Sequence, residues 1–180
     1  MADASVRPAR AADAPEIARV QLFTWRTAYG GHLPDDVLAA MGHDETEQVW
    51  RRAVETPPGP GYHVLVALEG DTLVGFAGLE PEHEQVDTAL VTTLLVEPRW
   101  GRRGHGSWLL AALVDHAEAD RRATLQAWVL ERDTASIGFY ESAGWARDGW
   151  VRTLEPDGTA IREIRLHTTL GPTAIDREPT

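Results

Sequence analysis

A chain of 180 residues, with 43% hydrophobic and 25% charged residues, has the length and composition of one globular domain. Its net charge of −11 argues against a nucleic-acid surface, which needs a basic footprint, and the absence of cysteine excludes disulfides and thiol catalysis. No apolar run approaches the roughly 20 residues that span a bilayer, and the N-terminus lacks the apolar core of a signal peptide. We therefore expect a cytoplasmic protein that binds neither nucleic acid nor membranes.

In chain order, the sequence predicts an edge strand, three helices, three strands, a long helix, a strand, a short helix and a terminal hairpin. The first elements are expected at residues 5–10, 13–29, 33–41, 44–54, 63–68, 73–79 and 90–96. The long helix is expected from about 108 to 120, and the last elements at 124–130, 133–143, 145–154 and 160–166. This order indicates a mixed α/β sheet with helices on both sides, in a single domain spanning residues 1–180 with a loose tail at 169–180.

Particular residues mark the ends and irregularities of these elements. Asp13 is expected to be the N-cap of the first helix, with Pro15 in its first turn, because both residue types favour helix starts. The glycine pair at 30–31 is expected to end the same helix. Gly75 and Gly78 interrupt the strand that precedes the central one, which indicates a bulge or a closely approached backbone.

The stretch from Thr92 to Leu110 carries the main functional signal. It combines the end of an apolar strand, a loop that follows Pro98, and the start of a helix. Gly104 and Gly106 allow the backbone to turn sharply and to approach a ligand closely. The free N–H groups and the dipole at a helix N-terminus favour a phosphate group. Fixed positive charge in this loop comes from Arg99, Arg102 and Arg103.

The spacing of the glycines distinguishes this loop from two common kinds of phosphate-binding loop. A P-loop needs G-x-x-x-x-G-K-[ST], and the chain contains no lysine; a dinucleotide fold needs G-x-G-x-x-G, whereas the order here is G-x-x-G-x-G from Gly101 to Gly106. An ordinary connection with solvated arginines is a further interpretation. The order of strand, V-x-P, arginine-rich loop, G-x-G and S-x-L-L resembles the acyl-CoA loop of the GNAT superfamily of N-acyltransferases, in which the loop binds the CoA pyrophosphate. The chain departs from that pattern at Gly101, where the family has Gln or Arg.

Two further segments carry the same resemblance. F-Y-E-S-A-G-W at 139–145 is similar to the second signature of the family, F-Y-x-x-x-G-F, and W-R-x-x-Y-G-G-x-L-P at 25–34 resembles a subgroup whose first helices cover the acceptor pocket. Asp133 stands where the family often has a cofactor-binding asparagine. The resemblance covers about residues 5–168 and implies the GNAT fold, a mixed, mostly antiparallel central sheet flanked by helices on both sides.

The resemblance implies transfer of the acetyl group of acetyl-CoA to a primary amine, by direct attack on the thioester through a tetrahedral intermediate. Tyr140 is the implied general acid for the leaving thiolate, and Glu80, near the expected entrance of the amine, is our candidate general base. Trp25 and Tyr29 are expected to form walls of the acceptor pocket. The implied cofactor-binding residues are Leu94, Leu95, Val96, Arg102, Arg103, Gly104, His105 through its backbone, Gly106, Ser107, Asp133 and Tyr140.

Each of these side chains also has a structural interpretation. Tyr140 and Trp25 lie on amphipathic helices, where aromatic residues are often core, and the acidic loop 81–87 beside Glu80 is typical of solvated surface. Some family members use water instead of a dedicated base. We expect a small-molecule amine as acceptor, weakly favour a cationic one because the surface is acidic, and expect no metal. A homodimer is one option, since dimers are common for this fold.

Three other functions fit parts of the sequence. A non-catalytic acyl-CoA-binding or regulatory protein would keep the fold and bind the cofactor without turnover. A protein N-terminal acetyltransferase would use the same chemistry on peptides. A nucleotide-binding α/β protein would be stabilised by ATP or NAD rather than by CoA, and the absence of lysine argues against it.

Overall fold

One sheet of seven strands runs through the residues that this computed structural model describes, namely 4–28, 35–155, 158 and 160–171. The strands are Ala4–Pro8 (β1), His63–Glu69 (β2), Thr72–Pro81 (β3), Thr88–Val96 (β4), Thr124–Leu130 (β5), Ala146–Leu154 (β6) and Ile161–Thr169 (β7). The helices are Ala14–Ala28 (α1), Asp35–Ala40 (α2), His43–Glu55 (α3), His105–Ala119 (α4) and Thr134–Ser142 (α5). The predicted order of elements is confirmed. The glycine pair expected to end α1 lies outside the described residues.

The strands are ordered β1-β2-β3-β4-β5-β7-β6 across the sheet. Neighbouring strands are antiparallel, except that β4 and β5 are parallel. A parallel pair needs a crossover connection, and α4 supplies it. The result is a mixed, mostly antiparallel sheet with helices on both sides, so the predicted fold class is confirmed.

Two apolar clusters cover the two faces of the sheet. On one side, here called the α4 face, α4 packs on strand residues that include Ala77 and Leu79. On the other side, here called the α1 face, helix α1 packs on Phe76 and Leu95. Since successive strand residues point to opposite faces, this assignment also places the next residue after Leu79, Glu80, on the α1 face.

The glycines of β3 bring its backbone very close to β4. A Cβ added to Gly75 would lie 2.7 Å from the backbone oxygen of Leu95, and one added to Gly78 would lie 2.5 Å from Thr92 Oγ1. The strand register shifts next to Gly78, so that β4 carries an extra residue at Thr92. The predicted bulge and close approach are confirmed.

The expected capping role of Asp13 needs a correction. Asp13 lies inside a single 3-10 turn, Ala11–Asp13, that precedes α1, and Arg10 holds the N-cap position. The 3-10 turn extends the helix backwards, which moves Asp13 from the cap to the third position. From there its Oδ2 still accepts a hydrogen bond from the backbone N–H of Arg10 at 2.7 Å, and its two oxygens accept bonds from Arg7 at 2.7 and 3.0 Å.

In the described ranges, none of the helices is both long and apolar enough to cross a membrane. The same ranges contain no group of three or more His, Asp or Glu side chains arranged to hold a metal ion.

Candidate active site

The parallel strands β4 and β5 separate in the middle of the sheet. Among the described residues they pair only from Thr88 with Thr124 to Val91 with Ala127. Beyond Val91, the rest of β4 continues to pair with β3, and the rest of β5 continues to pair with β7. The sheet therefore opens at this point, and the edge of β4 that faces the opening keeps backbone N–H and C=O groups that can bind a ligand.

A cleft of about 310 Å³ occupies this opening. One wall is the end of β4, and the other is the start of α5; one residue of α1 also contributes. Its lining consists of Thr24, Leu94, Leu95, Val96, Pro98, Arg132, Asp133, Thr134, Ala135 and Ser136. The structure thus brings together four of the predicted cofactor-binding residues, the three from β4 and Asp133.

The loop after β4 ends at the N-terminus of α4 with unpaired backbone donors. Gly104 has a φ of 92°, a left-handed conformation that glycine adopts without steric cost. The backbone N–H of Trp108 donates to the Gly104 oxygen at 3.0 Å, which is the first hydrogen bond of the helix. The N–H groups of His105, Gly106 and Ser107 consequently have no acceptor within α4, and they form a site suited to an anion.

Gly106 joins three elements at this point. A Cβ added to it would lie 3.4 Å from the ring of Phe139 on α5 and 3.8 Å from Val96 on β4. The absence of a side chain therefore lets the first turn of α4 approach the cleft. A second groove, of about 520 Å³, begins at Ser107 and runs between α4 and α5.

The three loop arginines do not share one role. Arg102 and Arg103 are exposed, and the Arg103 guanidinium stacks over the Trp100 ring, 4.8 Å from its centroid. Arg99 instead forms an ion pair with the buried carboxylate of Glu97. This ion pair offsets part of the positive charge that Arg99 was expected to add, and a contact of Arg99 with a phosphate stays a prediction.

The ring of His105 is buried under the loop and is only 1% exposed. It packs edge-on against Trp100 and Trp108, with centroid distances of 6.4 and 6.0 Å. Its Nε2 lies 3.0 Å from Glu69 Oε2, without the alignment of a hydrogen bond. The His105 ring therefore packs in the interior against Trp100 and Trp108. Its backbone N–H, which has no acceptor within α4, remains free to bind a ligand.

Asp133 is the N-cap of α5. Its Oδ1 accepts the backbone N–H of Ser136 at 3.0 Å, and its Oδ2 accepts the Ser136 hydroxyl at 2.6 Å. A carboxylate cannot donate a hydrogen bond as the asparagine amide of the family can. Asp133 lines the cleft and caps the N-terminus of α5, and its contact with the cofactor stays a prediction.

Tyr140 lies within the core rather than on the cleft wall. It is 6% exposed, and its ring packs against Trp145 and Phe139 with centroid distances of 4.8 and 5.4 Å. The structure therefore supports the packing interpretation of the ring. The general-acid role concerns the hydroxyl, and it stays a prediction.

Glu80 lies near the end of β3 and is partly buried. Burial raises the pKa of its carboxyl above the ordinary value of 4.5; His83 lowers this pKa, and Glu82 raises it further. In the sheet Glu80 lies opposite Leu90, which lies beside Gln126, so the three side chains form a row on the α1 face. Glu80 does not line the cleft. Its partner Leu90 lies in the stretch where β4 and β5 are still paired, one residue before they separate at Val91.

Of the two residues predicted to form walls of the acceptor pocket, the structure describes one. Trp25 is partly buried and packs against the cluster on the α1 face. Tyr29 lies outside the described residues. The neighbour of Trp25, Thr24, lines the cleft, and the sequence analysis did not identify it. A threonine within an apolar helical stripe was the available signal, since an apolar residue is expected there.

A protein-family model matches the part of the chain that forms this site. The family model described as "Acetyltransferase (GNAT) family" matches residues 21–145, which include β4, the glycine-rich loop, α4 and α5. The chain belongs to the GNAT family of acetyltransferases. This membership confirms the predicted family and the predicted acyltransferase activity.

Relatives within this family cover nearly the whole chain. An uncharacterized N-acetyltransferase of Bacillus subtilis, YuaI, is 32% identical over 167 residues, which span 90% of this chain and 91% of that protein. A probable N-acetyltransferase of Mycobacterium tuberculosis, Rv2775, is 26% identical and covers 84% of each chain.

Solved GNAT structures share the fold at low sequence identity. The PaiA N-acetyltransferase of Thermoplasma acidophilum, solved with coenzyme A, superposes with a TM-score of 0.75 at 15% identity and covers 93% of this chain and 99% of its own. The YncA protein of Salmonella typhimurium, solved with acetyl-CoA, gives 0.70 at 20% identity and covers 95% and 96%. At these identities the likeness shows the fold alone.

Proposed function

We propose that this GNAT acetyltransferase transfers the acetyl group of acetyl-CoA to the primary amine of a small molecule. The observation that carries the proposal is the opening between β4 and β5, whose lining residue Val96 adjoins Gly106 in the first turn of α4, where backbone N–H groups are free. Family membership and the cofactor-bound GNAT structures support acetyl-CoA as the co-substrate. The identity of the acceptor and the roles of individual side chains are part of the proposal.

The proposed cofactor site uses two sets of backbone groups, one at the start of α4 and one at the end of β4. The N–H groups from His105 to Ser107 hold the pyrophosphate, with Arg102 and Arg103 adding positive charge in a chain whose net charge is −11. At the end of β4, Leu94 and Val96 turn their backbone groups towards the opening, where they can bond the amide groups of the pantetheine arm, whereas the Leu95 backbone points to β3. The groove that begins at Ser107 has room for the nucleotide end.

The acceptor amine approaches from the α1 face. An alkylammonium with a pKa near 10.4 costs about 4–5 kcal/mol to deprotonate at pH 7, so the site needs a base or a water path. Glu80 is the proposed base, because burial raises the pKa of its carboxyl towards the range in which a carboxylate accepts protons effectively. Since Glu80 lies outside the cleft lining, one or more water molecules relay the proton to it.

The acyl transfer itself uses groups of β4 and α5. The neutral amine attacks the thioester carbonyl, and a backbone N–H of β4 stabilises the oxyanion that develops there. Collapse of the tetrahedral intermediate breaks the carbon–sulfur bond, and the Tyr140 hydroxyl donates a proton to the leaving thiolate. The attacking nitrogen loses its extra proton to solvent, the Tyr140 hydroxyl regains a proton from solvent, and the products are the acetylated amine and free CoA.

Calorimetric titration with acetyl-CoA, with ATP as the control ligand, tests the cofactor site first. Micromolar binding of acetyl-CoA with none of ATP supports it, and the reverse result contradicts it. A thiol-release assay over polyamines, amino acids, amino sugars and a peptide with a free N-terminus then tests the acceptor. Binding without release of CoA from any amine would favour a non-catalytic protein, and release with the peptide alone would favour a protein N-terminal acetyltransferase.

A further inference from the structure

A buried hydroxyl without a hydrogen-bond partner lies at the β4–β5 opening. Thr24 is 5% exposed, and its Oγ1 has neither solvent access nor a partner among the described residues. Nearly all buried side-chain polar groups in folded proteins are hydrogen-bonded. An exception beside a cleft points to a partner that binds there.

The Thr24 hydroxyl makes no hydrogen bond within its own helix. A threonine within a helix usually donates to the carbonyl oxygen four residues earlier, which here belongs to Val20. Thr46 on α3 makes that kind of bond, since its Oγ1 donates to the Gly42 oxygen at 2.7 Å. Thr24 is more deeply buried than Thr46 and makes no such bond, and it contributes to the cleft lining.

The other polar groups of the cleft wall are already engaged or exposed. Both carboxylate oxygens of Asp133 accept bonds from Ser136, and the Ser136 hydroxyl donates to Asp133. Thr134 and Arg132 are exposed to solvent, and the side chains of β4 in the lining are leucine and valine. Among the described lining residues, Thr24 therefore supplies the buried side-chain donor that is left for a ligand.

The position of Thr24 indicates which part of a ligand it meets. It comes from α1 and lines the same cleft as the end of β4, whose edge towards β5 is unpaired and carries the backbone groups of Leu94 and Val96. A ligand that occupies this cleft lies between the β4 backbone and α1. An extended chain with amide groups can bond the strand with one side and a hydroxyl with the other.

We propose that the Thr24 hydroxyl donates a hydrogen bond to an amide carbonyl oxygen of the pantetheine arm of acetyl-CoA. This inference rests on the proposed function, and it makes α1 part of the cofactor site as well as the cover of the sheet. Because acetyl-CoA and CoA share the arm, the hydroxyl contributes equally to the binding of both.

The test replaces the hydroxyl without changing the side-chain volume. Thr24→Val should weaken the binding of acetyl-CoA and of CoA by the same factor, about 3–10-fold for one neutral hydrogen bond, as measured by calorimetry. Thr24→Ser, which keeps the hydroxyl, should bind both ligands within about twofold of the unaltered protein. The KM for the amine should not change in either variant.

Thermal unfolding separates a binding role from a structural one. Thr24→Val removes an unpaired buried hydroxyl, so the melting temperature without ligand should stay equal or rise. Thr46→Val is the matched control: it removes a satisfied hydrogen bond, so it should lower the melting temperature and leave cofactor affinity unchanged.

The outcomes also separate this inference from the proposed function. If the unaltered protein binds acetyl-CoA and Thr24→Val binds acetyl-CoA and CoA equally well, the inference is wrong and the function stands. The same conclusion follows if only the KM for the amine changes, or if acetyl-CoA binding falls while CoA binding does not. If the unaltered protein does not bind acetyl-CoA, both are wrong.

Discussion

Glu97 Oε2 accepts a hydrogen bond from Arg19 Nη1 at 3.1 Å, and this ion pair joins the first helix to the residue that follows β4. The Glu97 side chain is 2% exposed, and its other oxygen contacts Arg99. Its backbone N–H donates to the Val74 oxygen at 2.8 Å, which fixes the same residue to β3. The position of α1 over the β4–β5 opening is therefore coupled to the start of the cofactor loop.

Replacement of Arg19 by methionine should destabilise the protein by about 2–3 kcal/mol, as measured by urea unfolding. Removal of one partner from a buried ion pair costs about 3–5 kcal/mol, and Arg99 here still compensates part of the Glu97 charge. Arg52→Met, at an exposed position on α3, is the control and should change stability by less than about 0.5 kcal/mol. Equal stabilities of the two variants would show that the Glu97 pair does not hold α1 in place.

Local sequence patterns predicted the parts of the fold and of the site that depend on neighbouring residues. The strand, the glycine turn and the helix start around Gly104 follow one another directly, so their backbone donors could be inferred. The sequence could not show whether Arg99 pairs with Glu97 or faces a phosphate, because an arginine in a loop can do either. The sequence marks Thr24 only as a polar residue within an apolar helical stripe; its place at the cleft could not be predicted, since it depends on how α1 crosses β4.

Replacement of Gly104 by alanine should weaken acetyl-CoA binding at least tenfold, as measured by calorimetry. A φ of 92° is strained for a residue with a Cβ, at a cost of about 1–2 kcal/mol, and relief of that strain turns the loop N–H groups away from the ligand. Gly149→Ala is a control with a φ of 87° in β6, away from the loop. It should lower stability by a similar amount without changing the affinity; an equal loss of affinity in both variants would contradict the loop assignment.

Replacement of Tyr140 by phenylalanine should lower kcat by about 10²-fold or more, with the Kd for acetyl-CoA nearly unchanged. The substitution keeps the ring that packs against Trp145, so the melting temperature should change little compared with Tyr140→Ala. Steady-state kinetics and calorimetry on the same preparations check both parts. An unchanged kcat would remove Tyr140 from the mechanism and leave the packing role.

Replacement of Asp13 by asparagine should lower stability by about 1–2 kcal/mol at pH 7, because Asp13 bonds Arg7 and the N–H of Arg10. The hydrogen bond from Arg7 is the largest cause that lowers the pKa of this carboxyl below its usual 3.8. The stabilisation is therefore present above pH 3.8 and is lost as the pH falls through the lower folded-state pKa. The unfolding curves of Asp13→Asn and of the unaltered protein should therefore converge at acidic pH, and Asp71→Asn, at an exposed turn position, is the control for the substitution at pH 7.

Replacement of Glu80 by glutamine should have opposite effects on activity and on stability. Burial raises the pKa of Glu80 above 4.5, so the protonated form favours folding, and the ionised form costs stability once the pH rises through the folded-state pKa. Glu80→Gln removes that cost, and its melting temperature should exceed that of the unaltered protein at pH 7 but not below pH 4.5.

If Glu80 is the base, the rate of the unaltered protein should fall as the pH drops through the same raised pKa. Glu80→Gln should be slower at pH 7 and should lose that limb of the pH–rate profile, while the limb that reports the acceptor amine remains. Glu82→Gln, in the adjacent loop, should keep both limbs. A Glu80→Gln profile identical to that of the unaltered protein, together with the expected gain in melting temperature, would show that the partly buried Glu80 carboxyl affects stability alone, and that water deprotonates the amine.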